Sequence, residues 1–200
     1  LLTNSAQGLD FPNLSSVTTD DTAAARQAMD LLLESGHRRV GILGANFDCA
    51  QISYSRFLGC QESFKSHGLS LDASWTEACR YSMAEGYAAA LRLLDRNPEL
   101  TAIFALSDVM AIGAIRALRD RGKRVPEDIS VVGYDGISIA RYSIPRLTTI
   151  SQDTRQLAEQ GVDILLRNIE RSSGPVHRVV PFRLLDGESV ADLERKNETI

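Results

Sequence analysis

The chain has 200 residues, 44% of them apolar, and carries 22 Lys and Arg against 26 Asp and Glu for a net charge of −4. This is enough apolar material for one good core, as a single α/β unit or one complete lobe plus part of another. The acidic balance and the lack of a basic stripe make this chain a poor nucleic-acid binder by itself, and no apolar run nears the ~20 residues of a bilayer span.

The expected elements follow in order. Leu1 to Ser16 reads as a loop after an apolar pair, with Val17 in a brief extended stretch. Thr19-Asp20-Asp21 caps a helix from Thr22 to Glu34, with Ala24, Ala28, Leu31 and Leu32 inward, and Gly36 stops it. Val40 to Leu43 is a buried strand, and the polar loop Gly44 to Ser53 leads into a helix ending at Ser66 before Gly68. Thr76 to Tyr81 reads as a strand. Ser82 to Arg96 reads as a helix with Ala84, Tyr87, Leu91 and Leu94 inward.

The most informative stretch is Thr101 to Gly136. Ala102 to Leu106 has strand length, Ser107-Asp108 is a helix N-cap signature, and the helix runs to Arg121 before Gly122. Pro126 prevents the helix from resuming, and Ile129 to Tyr134 is a second strand. Strand, helix and strand of these lengths form a right-handed crossover with parallel strands. Ser107, Asp108 and Asp135 therefore gather on the sheet edge where open α/β sheets bind ligands. Leu147 to Ile150 is a short strand and Asp153 to Arg171 a helix with Leu157, Val162, Leu165, Leu166 and Ile169 on one side. Arg178 to Leu184 is a final extended stretch, and the tail from Asp192 is charged. The fold class is α/β, a doubly wound parallel sheet.

Enzyme chemistry has little to work with. His37, His67 and His177 lie away from Ser107 and Asp135, so neither a Ser-His-Asp triad nor a histidine base is supported. Gly41 and Gly44 lack dinucleotide or P-loop spacing, and no His/Cys pair has metal-ligand spacing, so no cofactor and no metal are expected. Cys49, Cys60 and Cys79 are odd in number and read as free thiols in a reducing compartment. Leu1 opens no recognisable signal sequence, and a start without Met is what a fragment would show. The basic clusters Arg38-Arg39, Arg119 to Arg124 and Arg195-Lys196 read as solvated surface.

What remains suits reversible binding of a small polar molecule. Arg56, in the first turn of its helix, offers a planar donor fork for vicinal hydroxyls or a phosphate, and equally reads as a surface arginine. Tyr81 can lay its ring on a sugar face or pack as a core tyrosine. Asp135 can accept hydroxyl donors or cap a turn, whereas Asp108 reads first as a helix cap. Ile112 and Ile115 point away from the stripe Met110, Ala114, Ala117 and Leu118. With the neighbouring Tyr142 to Pro145 loop they suggest a protein contact, most simply a two-fold dimer.

The run SDVMAIGAIRALRDRGKRVPEDISVVGYDG, then ARYSIPRLTTISQD, with SGHRRVGILG and SRFLGCQESF earlier, closely resembles the effector-binding core of LacI/GalR-type bacterial transcription repressors. The resemblance extends to about Val190. It implies a type I periplasmic-binding-protein-like fold of two lobes, the C-terminal one complete and the N-terminal one partial. The crossings fall near Val17 to Thr19, Thr149 to Thr154 and Arg178 to Pro181. The implied division is a remnant of the N-terminal lobe at 1–18, the C-terminal lobe at 19–149, a return at 150–178, a final crossing at 179–191 and a tail at 192–200.

By the same resemblance Arg56, Tyr81, Ser107 and Asp135 contact effector, with Ser107 standing where sugar-binding relatives often have Asn. Ile112, Ile115, Arg141 and Tyr142 lie at a homodimer interface. The implied protein is a cytoplasmic repressor that is not an enzyme and has no membrane partner. It senses a sugar or sugar derivative and meets operator DNA only through a headpiece absent from this chain. The alternatives are an exported sugar-binding protein of a transporter and a sugar-modifying enzyme using Asp108 and Asp135.

Overall fold

The computed structural model describes residues 2–3, 13–45, 51–171 and 174–194. Two sheets organise them. A three-stranded parallel sheet has the order β1 (Leu2–Thr3), β2 (Ser16–Thr19) and β8 (His177–Val180). The larger sheet has six strands: β4 (Thr76–Glu77), β3 (Val40–Leu43), β5 (Ala102–Ala105), β6 (Ser130–Asp135), β7 (Thr148–Gln152) and β9 (Phe182–Leu185). All its neighbours are parallel except β7 and β9.

The helices are α1 (Asp21–Glu34), α2 (Gln51–Ser66), α3 (Met83–Arg96), α4 (Asp108–Asp120) and α5 (Thr154–Arg171). From β3 the chain crosses through α2 to β4 at one edge, returns through α3 to β5, and continues through α4 to β6. With right-handed crossovers this places α2 on one face and α3 with α4 on the other. The direction of winding reverses between β3 and β5, and the loops leaving their C-terminal ends open the crevice where such sheets take ligands.

The central strands are buried on both faces and read as unbroken apolar runs, with Val40, Ile42, Leu43, Ile103, Phe104, Val131 and Val132 in the core. The helix pairs approach closely through glycine. A β-carbon at Gly59 of α2 would collide with the Thr22 carbonyl of α1, and one at Gly113 of α4 with the Met83 carbonyl of α3.

Several local expectations shift. The stretch expected as a strand from Thr76 to Tyr81 pairs only at Thr76–Glu77, after a 3-10 turn at Ala73–Trp75, so Tyr81 lies in the loop before the Ser82 cap of α3. On α3 the buried face is Gly86, Ala89, Ala90, Leu93 and Leu94, while Ala84 is exposed and Tyr87 and Leu91 are half-buried. Contact with α4 selects the small residues. Arg178 to Leu184 divides at Pro181, which has no N–H for a ladder, and its two halves join different sheets.

On α5 Leu157 and Ile164 pack with Val17 and Val180, whereas Val162, Leu165, Leu166 and Ile169 are exposed. The apolar residues of α5 occupy two faces, and the three-stranded sheet covers one. Cys60 and Cys79 are free and buried. Cys49, residues 46–50 of the expected loop, and Arg195-Lys196 lie outside the described residues.

Candidate functional site

The site is built where β3, β5 and β6 end. Arg56 sits in the second turn of α2, since this helix begins at Gln51, and the residue is only 2% exposed. Nε donates to Asp21 Oδ1 at 2.8 Å, and Nη1 donates to the Leu106 carbonyl at 2.6 Å. The guanidinium carbon lies 3.6 Å from the centre of the Tyr134 ring, and Nη1 lies 3.6 Å from Asp135 Oδ1. Burial opposes the charge, but Asp21, Tyr134 and Asp135 outweigh it and hold Arg56 more firmly protonated.

The sequence offers Arg56 as a donor fork for a guest or as a surface arginine with its head in water. The structure commits Nε and Nη1 to the protein and leaves Nη2 without an acceptor among the described residues.

Asp135 closes β6 at φ +116°, a left-handed conformation that costs a non-glycine residue on the order of 1–3 kcal/mol. Its carboxylate accepts from Gln152 Nε2 at 2.8 Å and lies beside the Ser107 hydroxyl, a second donor group. Burial raises its pKa, opposed by Arg56 and by those two donors. Ser107 precedes α4 but makes no side-chain cap bond, and its side chain favours the charged form of Asp135. Tyr81 is 39% exposed, shares a 2.9 Å hydrogen bond with Ser53 one turn before Arg56, and feels both Arg56 and Asp135 electrostatically. Arg56, Asp135, Ser107 and Tyr81 are thus brought to one sheet edge.

Four further residues complete the arrangement, and sequence reasoning missed their roles. Asp21 accepts from Arg56 and, at 2.8 Å, from the Tyr134 hydroxyl. Only Asp20 of the expected cap triplet caps α1, accepting from the Ala23 N–H at 2.9 Å. A second acid there, directly after a strand, was the available signal. Gln152 bridges Asp135 to Thr19, whose hydroxyl donates to Gln152 Oε1 at 3.2 Å. Thr19 ends a strand of the small sheet and Gln152 a strand of the large one, so the bridge spans both.

Asp108 does not cap its helix. Its buried carboxylate reaches across to Thr149 and to the Ile137 N–H, and burial raises its pKa to about 7 against those donors.

Tyr142 and Ile144 are 83% and 89% exposed, and Arg141 is exposed beside them. Ile112 and Ile115 are half-buried rather than freely exposed, and Ile115 packs partly on the core. A surface hollow of about 630 Å³ joins Ile115, Val125 and Pro126 to Ile144 and Pro145. Among the described residues no helix is long and apolar enough to cross a membrane, and no group of His, Cys, Asp and Glu could hold a metal ion.

Two parallel-dominated sheets joined by repeated passages of the chain, with polar side chains converging at strand ends, define a ligand-binding α/β module of the two-lobed kind. The chain belongs to the periplasmic binding protein-like domain family, whose model matches residues 29–190, in the branch represented by LacI-type regulators. It is 33% identical over 183 residues to the HTH-type transcriptional regulator CelR of Thermobifida fusca, covering 91% of this chain and 54% of CelR.

The structure of a CelR–cellobiose complex superposes with a TM-score of 0.88 at 32% identity, covering 94% of this chain and 57% of that one. A LacI family regulator of Enterococcus faecium with bound ribose gives a TM-score of 0.83 at 28% identity, covering 90% and 66%. The chain spans about half the length of the curated relatives it matches. Those relatives are HTH-type transcriptional regulators and repressors.

Proposed function

We propose that this chain is the effector-sensing and dimerisation core of a LacI-type transcriptional repressor whose effector is a sugar or sugar derivative. The observation that carries this reading is the joining of a buried guanidinium and a half-exposed carboxylate, Arg56 and Asp135, at the sheet edge where the winding reverses. Asp135 and Ser107 supply polar contacts to hydroxyls, Tyr81 offers a ring face, and Arg56 presents Nη2 while fixing Asp135. The cellobiose and ribose in the two similar structures support a sugar over other polar guests.

The protein acts in the cytoplasm as a homodimer, with Ile112, Ile115, Arg141 and Tyr142 at the interface. It catalyses no reaction: Asp108 is wholly buried behind the turn at Gly136 and supplies no second carboxylate to a guest. Operator DNA is met through a headpiece outside these residues. Effector contacts that differ between two lobe arrangements shift the population between them, and a coupling of about 1–3 kcal/mol suffices for a switch.

A thermal-shift screen of the full-length protein against cellobiose, ribose, sugar phosphates and nucleosides tests this reading, because a ligand that binds only the folded form raises Tm. A sugar that raises Tm for wild type but not for Asp135→Ala is the expected result. Stabilisation by nucleosides alone, or by a sugar equally in both proteins, would contradict it.

A further inference from the structure

We infer that Asp108 is a positioning residue, holding Asp135 in its ligand-facing conformation from behind the sheet edge. The inference rests on the proposed role of Asp135 and extends it to a group that never touches the guest.

The geometry is specific. The Asp108 side chain is fully buried, and both carboxylate oxygens are occupied. Oδ1 accepts from the Thr149 hydroxyl at 2.5 Å and Oδ2 from the Ile137 N–H at 2.8 Å. Ile137 lies two residues after Asp135, so its N–H anchors the turn that begins at Asp135 and passes through Gly136. Asp135 and Gly136 are both left-handed, at φ +116° and +71°. Such a turn persists only where its surroundings over-determine it, and Asp108 ties it to β7 through Thr149.

Two glycines make room for this arrangement. A β-carbon at Gly133 would collide with Asp108 Oδ1, and one at Gly136 would strike the Cα and side chain of Ser151. A helix cap would need none of this, since a cap bonds its own helix and leaves the next strand alone.

Crystal structures and cellobiose and ribose titrations of the full-length protein test the inference, using Asp108→Asn, Thr149→Val and Thr149→Ser. An asparagine that keeps the Ile137 N–H on its oxygen turns an NH2 donor towards Thr149, so the Thr149 hydroxyl must reverse from donor to acceptor and the short bond to Oδ1 is lost as it stands. The expected result for Asp108→Asn is that Asp135 leaves positive φ, that its carboxylate moves beyond the 3.6 Å spacing to Arg56, and that sugar affinity falls at least tenfold.

Thr149→Val is expected to weaken binding several-fold, and Thr149→Ser to restore it. An Asp108→Asn protein with Asp135 unmoved overturns the inference, as does a Thr149→Val protein that loses Tm but binds as wild type. Should Asp108→Asn not fold, the Thr149 pair decides. If wild type binds neither sugar, the sugar reading fails, while the conformation of Asp135 in the variants still settles the role of Asp108.

Discussion

Arg56 and Asp135, which come from a helix after the third strand and the end of the sixth, approach to 3.6 Å with the guanidinium laid over the Tyr134 ring between them in sequence. The pair is buried on the arginine side and open on the carboxylate side, so the protein holds the cation and shows the anion. A planar, always-charged group suits this position, because it can stack, pair and donate at once.

Arg56→Lys should therefore behave almost like Arg56→Ala. An ammonium cannot cover Tyr134 and reach Asp21, Leu106 and Asp135 together. Loss of charged hydrogen bonds to the guest and to Asp135 should weaken sugar binding by about 1.5–3 kcal/mol, read by calorimetry on whichever sugar the thermal screen identifies.

Asp21→Ala should be among the most damaging single changes in the molecule. It strips one buried acceptor from both Arg56 and the Tyr134 hydroxyl, leaving a buried cation without its nearest anion. The expected loss is about 3–5 kcal/mol of stability in urea denaturation, and Asp21→Asn should recover part of it.

The contrast between those two predictions shows what was legible in the sequence. The β5–α4–β6 unit was plain, because strand-length apolar runs, a helical stripe and glycine punctuation agree over one continuous stretch. The candidate residues at strand ends followed from topology. Asp21 did not, since a cap triplet explains an acid locally while its actual partners lie 35 and 113 residues away. Asp108 was misread for the same reason. On α5 an apolar residue count could not say which of two faces the small sheet would cover, and Tyr81 was drawn into a strand whose pairing ends four residues earlier.

Asp108 also predicts an unusual pH dependence. Its pKa rises from 3.8 to about 7 on folding, first through burial, so the folded state binds the extra proton between those values. Stability contributed by this group must then fall as pH rises from about 4 to 7, opposite to a salt-bridged carboxylate. Asp135 is shifted in the same direction, so the test is the difference between wild type and Asp108→Asn in chemical denaturation at pH 5 and pH 7.5. The wild type should lose more stability over that rise than the variant; equal slopes would contradict the assignment.

Tyr142→Asp and Ile144→Asp should leave folding intact, since both side chains are almost wholly exposed, with stability within about ±0.5 kcal/mol of wild type. Sedimentation equilibrium should show the full-length protein as a dimer and these variants as predominantly monomeric. Unchanged dimers would move the interface to another face.

The central claim, that a sugar is gripped at the edge where Arg56 and Asp135 meet, is tested most directly by a crystal structure of the full-length protein with the sugar that raises its Tm. The account predicts ring hydroxyls within about 2.7–3.2 Å of the Asp135 carboxylate and of Arg56 Nη2. A sugar seated elsewhere, with its hydroxyls beyond hydrogen-bond reach of both the Asp135 carboxylate and Arg56 Nη2, would contradict it.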